Sequence, residues 1–236
     1  MRAAAPRARG PRRAASARLA KAVVAKSPGP DCALCPRLAA FRADNRRAFP
    51  DFVNAPIPPF GDAAARLLVV GLAPGLKGAN RTGRPFTGDA AGELLYAGLR
   101  RHGFARGTFR ARADDGLVLE GACISNAVKC VPPGNKPLPA EIATCNPFLA
   151  ADIARLAKLQ AFLALGRIAH DAVLRALDLP RARTLFAHGA RHVLAGNRVL
   201  YDSYHCSRYN TNTGRLTPAM FDAVLARIAA ELARPA

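Results

Sequence analysis

Three short apolar runs decide what this chain can fold into. They are Leu67-Leu68-Val69-Val70-Gly71-Leu72, Ala122-Cys123-Ile124-Ser125-Asn126-Ala127-Val128 and Ala161-Phe162-Leu163-Ala164-Leu165. Each has the length of a strand, and none alternates apolar with polar residues as a strand with one wet face would. They read as strands buried on both faces. The segments between them carry helical periodicity. Residues 90–102 place Leu94, Leu95 and Leu99 on one face, with Asp89 as N-cap. Residues 139–159 open with a proline in the first turn. Residues 38–49, 168–177 and 218–233 read as further helices. Strands alternating with helices predict an α/β fold, with a mostly parallel sheet covered on both faces. Residues 193–194 and 198–204 read either as a hairpin turned at Gly196-Asn197 or as an edge strand plus the last strand of the sheet. Prolines 56, 58 and 59 make residues 54–62 an irregular connection.

In such a sheet, ligands bind beyond the carboxyl ends of the strands. Three unusual loops leave those ends, at residues 73–88, 129–139 and 205–217, and are expected to meet at one rim. Gly71 and Gly75 in the first loop permit close backbone approach to a ligand. The loop has neither the Gly-Lys-Ser/Thr of a phosphate-binding loop nor the Gly-x-Gly-x-x-Gly of a dinucleotide site. Phe86 suits stacking on a planar base, although a loop phenylalanine is more often an anchor into the core. Asn126 can present a donor and an acceptor to a nucleobase edge, or satisfy the turn. His205 can stabilise developing negative charge, although a lone histidine is more often structural. Convergence of the loops is what favours the functional alternatives.

Charge names the partner class. Lys and Arg number 35 against 16 acids, a formal net charge of +19. Residues 1–26 hold six Arg, two Lys and no acid, so the rest of the chain still carries +11. A polyanion is the natural partner. Nucleic acid is favoured over membrane, since no long basic amphipathic segment and no 18-residue apolar run occurs. The Ala-, Arg- and Pro-rich residues 1–26 read as a disordered tail that adds non-specific DNA affinity, with an organellar transit peptide as the alternative. Residues 27–236 read as one folded domain, expected as a monomer in a bacterial cytosol or nucleoid.

Of six cysteines, Cys32 and Cys35 form a CxxC, and Cys130 and Cys145 flank 14 residues. Four thiolates suit tetrahedral zinc or a [4Fe–4S] cluster, and spacing leaves the two open. Cys130 and Cys145 as buried structural thiols is the competing reading. Cys123 and Cys206 read as buried bystanders.

Together these segments resemble the iron–sulfur branch of the uracil-DNA glycosylase superfamily, family 5. The resemblance runs from Asp31 to Phe221. It is carried by Gly-Leu-Ala-Pro-Gly from Gly71, Asn-Arg-Thr-Gly-Arg-Pro-Phe-Thr-Gly-Asp from Asn80, Val-Lys-Cys-Val-Pro-Pro from Val128, His-Cys-Ser-Arg-Tyr-Asn-Thr from His205, and the order of the cysteines. It implies a three-layer α/β/α sandwich with a central four-stranded parallel sheet. It also implies a [4Fe–4S] cluster held by Cys32, Cys35, Cys130 and Cys145. The implied activity is hydrolytic excision of uracil from DNA, with hypoxanthine and xanthine as further deaminated substrates, leaving an abasic site. By this resemblance Phe86 stacks on the flipped base, Asn126 reads its edge, backbone N–H groups of Gly71 to Gly75 contact a base carbonyl, and His205 stabilises the leaving base. Asn135, Lys136, Arg208 and Asn210 are expected to face DNA. One departure from the wider superfamily stands out. Many relatives carry an acidic or amide residue just after the opening glycine or a few residues on, whereas Leu72-Ala73-Pro74-Gly75-Leu76 holds nothing polar. Asn80 is then the nearest side chain to position water. The competing class is a non-catalytic DNA-binding protein that keeps an iron–sulfur or zinc site.

Overall fold

The computed structural model describes residues 27–233, and each of the three apolar runs contains a five-residue strand whose residues are all buried. In chain order the elements are α1 (Pro36–Ala48), β1 (Phe60–Gly61), β2 (Leu67–Gly71), α2 (Ala79–Thr82), α3 (Ala90–Arg101), β3 (Ala105–Arg106), β4 (Val118–Leu119), β5 (Ala122–Asn126), α4 (Pro139–Arg155), β6 (Ala161–Leu165), α5 (Arg167–Ala176), β7 (Arg191–Leu194), β8 (Arg198–Ser203), α6 (Arg208–Asn212) and α7 (Pro218–Ala233). The tail read at residues 1–26 lies outside the described residues.

The main sheet runs β1-β5-β2-β6-β8-β7. Its inner four strands are parallel, which is the expected four-stranded core. Both edges carry an added antiparallel strand. β1 corrects the expectation of an irregular connection over residues 54–62. Two residues directly after Pro58-Pro59 pair with β5, an edge position that tolerates neighbouring prolines. At the other edge both alternatives hold at once. β7 and β8 form a hairpin turned through Gly196 (φ 73°) and Asn197 (φ 56°), and β8 is also the last parallel strand.

Alternate residues divide the sheet between two cores. Leu67, Val69, Ile124, Leu163 and Tyr201 face α3 and α7, where they meet Leu95, Leu99, Phe221 and Leu225. Leu68, Val70, Phe162 and Leu200 face α4 and α5, meeting Leu149, Ile153 and Val173. Helices on both faces give the three layers.

Element ends differ from the expected ones for local reasons. β5 stops at Asn126 because Ala127 and Val128 turn their N–H groups to the carbonyls of Gly71 (2.9 Å) and Leu72 (3.0 Å). Lys129, fully buried, then donates to Ser125 and to the Asp152 carboxylate on α4. That ion pair ties the exit of β5 to α4, and removing one partner would strand a charge in the core. α4 ends at Arg155, short of residue 159, with Leu156 leaving helical geometry at ψ 79°. The small β3–β4 hairpin and the short helices α2 and α6 were not expected, being too short for periodicity to register. Among the described residues no helix is long and apolar enough to cross a membrane.

Candidate functional site

The parallel strands finish level with one another. Gly71 at the end of β2 stands beside Asn126 at the end of β5, and Leu165 of β6 stands beside Ser203 of β8. The chain reverses its direction across the sheet between β2 and β6, the kind of place where α/β sheets open a crevice. Gly71 is a glycine because there is no room for more. A Cβ there would lie 2.5 Å from both the Phe86 ring and Asn126 Oδ1. Phe86 in turn stacks on His205, with centroids 5.9 Å apart and planes inclined by 30°. The first and last loops therefore meet the ends of β2 and β5 at one point.

Phe86 reaches that point through a backbone that L residues avoid, at φ 55°. Its neighbours hold it there. Arg84, buried, donates both terminal nitrogens to Asp115 (2.8 and 2.7 Å) and its Nε to Thr87 Oγ1 (2.8 Å). The guanidinium sits among the rings of Phe60, Tyr96 and Phe109. The hydrogen bonds from Arg84 hold the Asp115 carboxyl well below the usual carboxylate range. The Tyr96 hydroxyl donates to the Pro85 carbonyl at 2.7 Å. Gly92 completes the clamp, since a Cβ there would lie 1.8 Å from the Phe86 carbonyl oxygen. Nothing in the sequence signals the Arg84–Asp115 pair, whose partners lie 31 residues apart.

Asn126 is buried, and among the described residues its Oδ1 has no hydrogen-bond partner. A buried acceptor left unmet costs on the order of 1–3 kcal/mol, so a ligand that brings a donor gains by filling it. Burial pushes the His205 ring below its usual pKa, with the Asp89 charge partly opposing. At neutral pH the lowered pKa leaves the ring uncharged, so what it can offer a ligand is a hydrogen bond. Asn210 holds this histidine in place by donating Nδ2 to the His205 carbonyl (2.8 Å). Both residues line an open cleft of about 420 Å³ together with Arg167, Phe186, Tyr204 and Arg215.

The wall of that cleft rests on a buried charge network. His170 donates Nδ1 to Asp202 (2.8 Å) and Nε2 to the Thr184 carbonyl (2.9 Å), while His192 donates to the other Asp202 oxygen (3.0 Å). A carboxylate and a carbonyl only accept, so both His170 nitrogens carry protons. Burial pushes its pKa down, but the hydrogen bond and charge of Asp202 outweigh burial and leave it raised.

The remaining expected site residues are dispersed. Arg208 is exposed at the start of α6. Asn135 and Lys136 are exposed on the turn before α4. Asn80 is buried in α2 and donates its amide to Asn54 Oδ1 (2.8 Å), while Asn54 donates to the carbonyls of Phe49 (2.7 Å) and Phe52 (3.2 Å). Asn80 thus braces the first loop against residues 49–54. Among the described contacts none joins it to Phe86, Asn126 or His205.

Cys32, Cys35, Cys130 and Cys145 all line one small cavity, otherwise walled by side chains such as Leu38, Val128 and Phe148. The knuckle before α1 brings the first two, the exit of β5 the third and α4 the fourth. Burial pushes the Cys130 thiol up to about 12 and Cys145 to about 11, so as free groups they are neutral. Yet Arg42, also buried, directs one guanidinium nitrogen at Cys130 Sγ (3.6 Å) and another at the Cys32 carbonyl (2.7 Å). Neither partner is a carboxylate. The Lys129 N–H donates to Cys145 Sγ at 3.3 Å. These donors suit thiolates, and a bound metal group is what makes buried cysteines thiolates. One zinc ion, about 2.3 Å from each sulfur, would hold the sulfurs roughly 3.8 Å apart. Among the described residues His170, His192 and Asp202 bring three donor atoms within 4.8 Å of one another, and no three of the cysteine sulfurs do. The four thiols and the donors aimed at them fit a bound metal group. Cys123 and Cys206 are buried and lie outside this cavity.

Most of the chain is similar to known proteins. Residues 58–229 match the family model of the uracil DNA glycosylase superfamily. The chain is 46% identical to the type-5 uracil-DNA glycosylase of Thermus thermophilus over 199 residues, covering 82% of this chain and 90% of the relative. It is 43% identical to the type-5 uracil-DNA glycosylase of Mycobacterium bovis over 81% of this chain and 74% of that one. It is 41% identical to that of Pyrobaculum aerophilum, over 85% of this chain and 89% of the relative.

Proposed function

The chain belongs to the uracil DNA glycosylase superfamily, and from that premise we propose that its rim excises uracil from DNA by hydrolysing the N-glycosidic bond. The carrying observation is the meeting of Gly71, Phe86, Asn126 and His205 at the strand ends, with a buried acceptor on Asn126 waiting for a donor. The uracil nucleotide leaves the duplex, at an unstacking cost of a few kcal/mol. Its ring stacks on Phe86. Its N3–H meets Asn126 Oδ1. Backbone N–H groups between Gly71 and Gly75 contact a base carbonyl. As the bond to the sugar breaks, negative charge grows on the base, and the neutral His205 ring donates a hydrogen bond to it. Asn210 keeps that ring in register. Arg208, Asn135, Lys136 and the rest of the basic surface meet the phosphates, and residues 1–26 add further positive charge. One chain supplies every residue of the rim, which supports a monomeric enzyme. A non-catalytic DNA-binding role is not favoured, since relatives matching most of the chain bear an enzyme's name.

Cys32, Cys35, Cys130 and Cys145 would hold a [4Fe–4S] cluster. When bound, it supplies four metal–thiolate bonds that link α1, the exit of β5 and α4. Arg42 balances the charge of that shell, and the Lys129 N–H orients Cys145.

The test is single-turnover excision on oligonucleotides carrying one uracil, hypoxanthine or xanthine, read as alkali-labile sites. Wild-type protein is expected to cut at uracil. Asn126→Ala and His205→Ala are each expected to slow excision about 10²–10³-fold with folding unchanged. Full rates in both variants would remove these residues from the site, and no cutting by the wild type would remove the activity.

A further inference from the structure

The open cleft beside His205 is lined by Arg167 and Arg215 and by no acid. Elsewhere on the surface arginines sit on carboxylates, as Arg37 does on Glu141, Arg101 on Asp222 and Arg191 on Glu231. Among the described contacts neither cleft arginine has a carboxylate partner, and each is held by an aromatic ring instead. The Arg215 guanidinium lies 4.6 Å from the centre of the Tyr204 ring, and that of Arg167 lies 5.9 Å from the centre of Phe186. The rings are backed in turn. His188 stacks on Tyr204 at 5.0 Å with planes inclined by 18°, and His170 meets Phe186 edge-on at 5.9 Å. A carboxylate would occupy the donors of an arginine, whereas a ring steadies the guanidinium plane and leaves its fork of N–H groups free. α5 opens at the same place. Gly166 is its N-cap, with no side-chain cap and no acid in the first turn, so unpaired N–H groups and the positive end of the helix dipole add to the field. A Cβ on Gly166 would stand 3.7 Å from the His205 Cβ, which sets this helix start against the rim. The His205 ring lines the same cleft and has no hydrogen-bond partner among the described contacts.

We propose that this cleft clamps one phosphodiester of the uracil-bearing strand, the one next to the flipped nucleotide. Arg167 and Arg215 donate to its free oxygens, and the start of α5 faces the same negative charge. Phe86 stacks on His205, and His205 forms part of the cleft wall, so a base held at the rim carries its own phosphates to this place. At about 420 Å³ the cleft is far larger than a free phosphate needs. The exposed basic residues elsewhere add affinity wherever phosphates pass, whereas arginines braced on rings add position. A clamped phosphate fixes the sugar, so the glycosidic bond is presented to His205 in one orientation. The assignment rests on uracil excision as proposed above, and it names what the site holds besides the base.

The test replaces one phosphate at a time by an uncharged methylphosphonate. Single-turnover rates are read on oligonucleotides carrying one deoxyuridine, and Kd on the same sequences carrying 2′-fluoro-2′-deoxyuridine, which resists cleavage. With the wild type, one position beside the uracil is expected to weaken binding and slow excision about tenfold or more, well beyond the loss elsewhere. Arg167→Gln and Arg215→Gln are expected to weaken binding and slow excision by a similar factor. In both, the methylphosphonate at that position should have no further effect, while the other positions keep theirs. Each substitution should lower the slope of log Kd against log salt by about one. Arg167→Lys and Arg215→Lys, which keep the charge but not the planar fork, should restore the slope and only part of the rate. Both arginines are exposed, so urea midpoints are expected to match the wild type. Losses spread equally over all positions in the Gln variants would overturn the clamp, and so would wild-type Kd and rate in the double Gln variant. Competition by inorganic phosphate that requires both arginines, with no sensitive position in the DNA, would assign the cleft to a free anion and overturn it too. Failure of the clamp beside an active wild type leaves excision standing. An inactive wild type whose Kd still shows the single sensitive position sinks the enzyme reading and keeps the clamp.

Discussion

The rim and the cysteine cavity hang from the same stretch of chain, yet they are built by opposite rules. Asn126 and Cys130 lie four residues apart on the exit of β5. On the rim side, the ligand-facing groups are held by protein alone. Arg84 and Asp115, Tyr96 and Pro85, and Asn210 and His205 fix Phe86 and His205 before any nucleotide arrives. One acceptor, Asn126 Oδ1, is left unmet. On the cavity side the unmet feature is a buried cation, Arg42, beside thiols that burial keeps neutral. A ligand that comes and goes requires a site formed in advance, since each turnover would otherwise repeat the cost of ordering. A ligand that stays can be part of the fold, so its site need not be satisfied without it.

That contrast can be broken at several points. The largest effect is expected on the cavity side. Cys145→Ser should abolish retained iron and visible absorbance, and should destabilise the protein by more than ~4 kcal/mol, because a structural group and its charge balance are lost together. For a domain of this size that lowers Tm by roughly 10 °C or more. Iron content and a thermal scan read the two effects, and a stable, colourless protein with full activity would show that the cavity is not part of the fold. On the rim side, Arg84→Met should cost about 3–5 kcal/mol by leaving Asp115 buried without its partner. It should also slow excision by releasing Phe86 from its positive φ, while iron stays bound. Loss of iron in this variant would mean that the two regions are one cooperative unit.

The smallest effect concerns the wall of the cleft and depends on pH. The folded pKa of His170 is raised, so its contribution to stability is fully present below the unfolded value of about 6.5. That contribution is lost as pH rises through the folded pKa. Urea midpoints of the wild type should therefore fall as pH rises above the unfolded value, and His170→Gln should flatten the fall. An equal slope in both proteins would assign the dependence to other groups.

Much of the fold was legible beforehand, because strands and helices are written in local periodicity. The buried runs at β2, β5 and β6 read as strands from their length and branched residues, and the rule that parallel strands open their sites at carboxyl ends located the rim from the loops alone. Asn126 and His205 sit where strand ends put them. β1 and the β3–β4 hairpin escaped because two-residue strands carry no period. The bond from the Asn210 amide to the His205 carbonyl, five residues away, is set by the turn into α6 and carries no mark in the sequence.

The sequence by itself determined the order of the elements, the sheet they build, the edge at which chemistry would gather and the residue types available there. Tertiary structure decided which way each group faces. Phe86 stacks on His205 because Arg84 finds Asp115 from 31 residues away, and Asn80 turns to Asn54 while Asp89 turns one oxygen to its helix and the other to the first loop. Periodicity follows from covalent neighbours and can be read in one dimension. A pairing between distant residues exists only once the chain has brought them together, and leaves no repeating mark on the sequence that makes it.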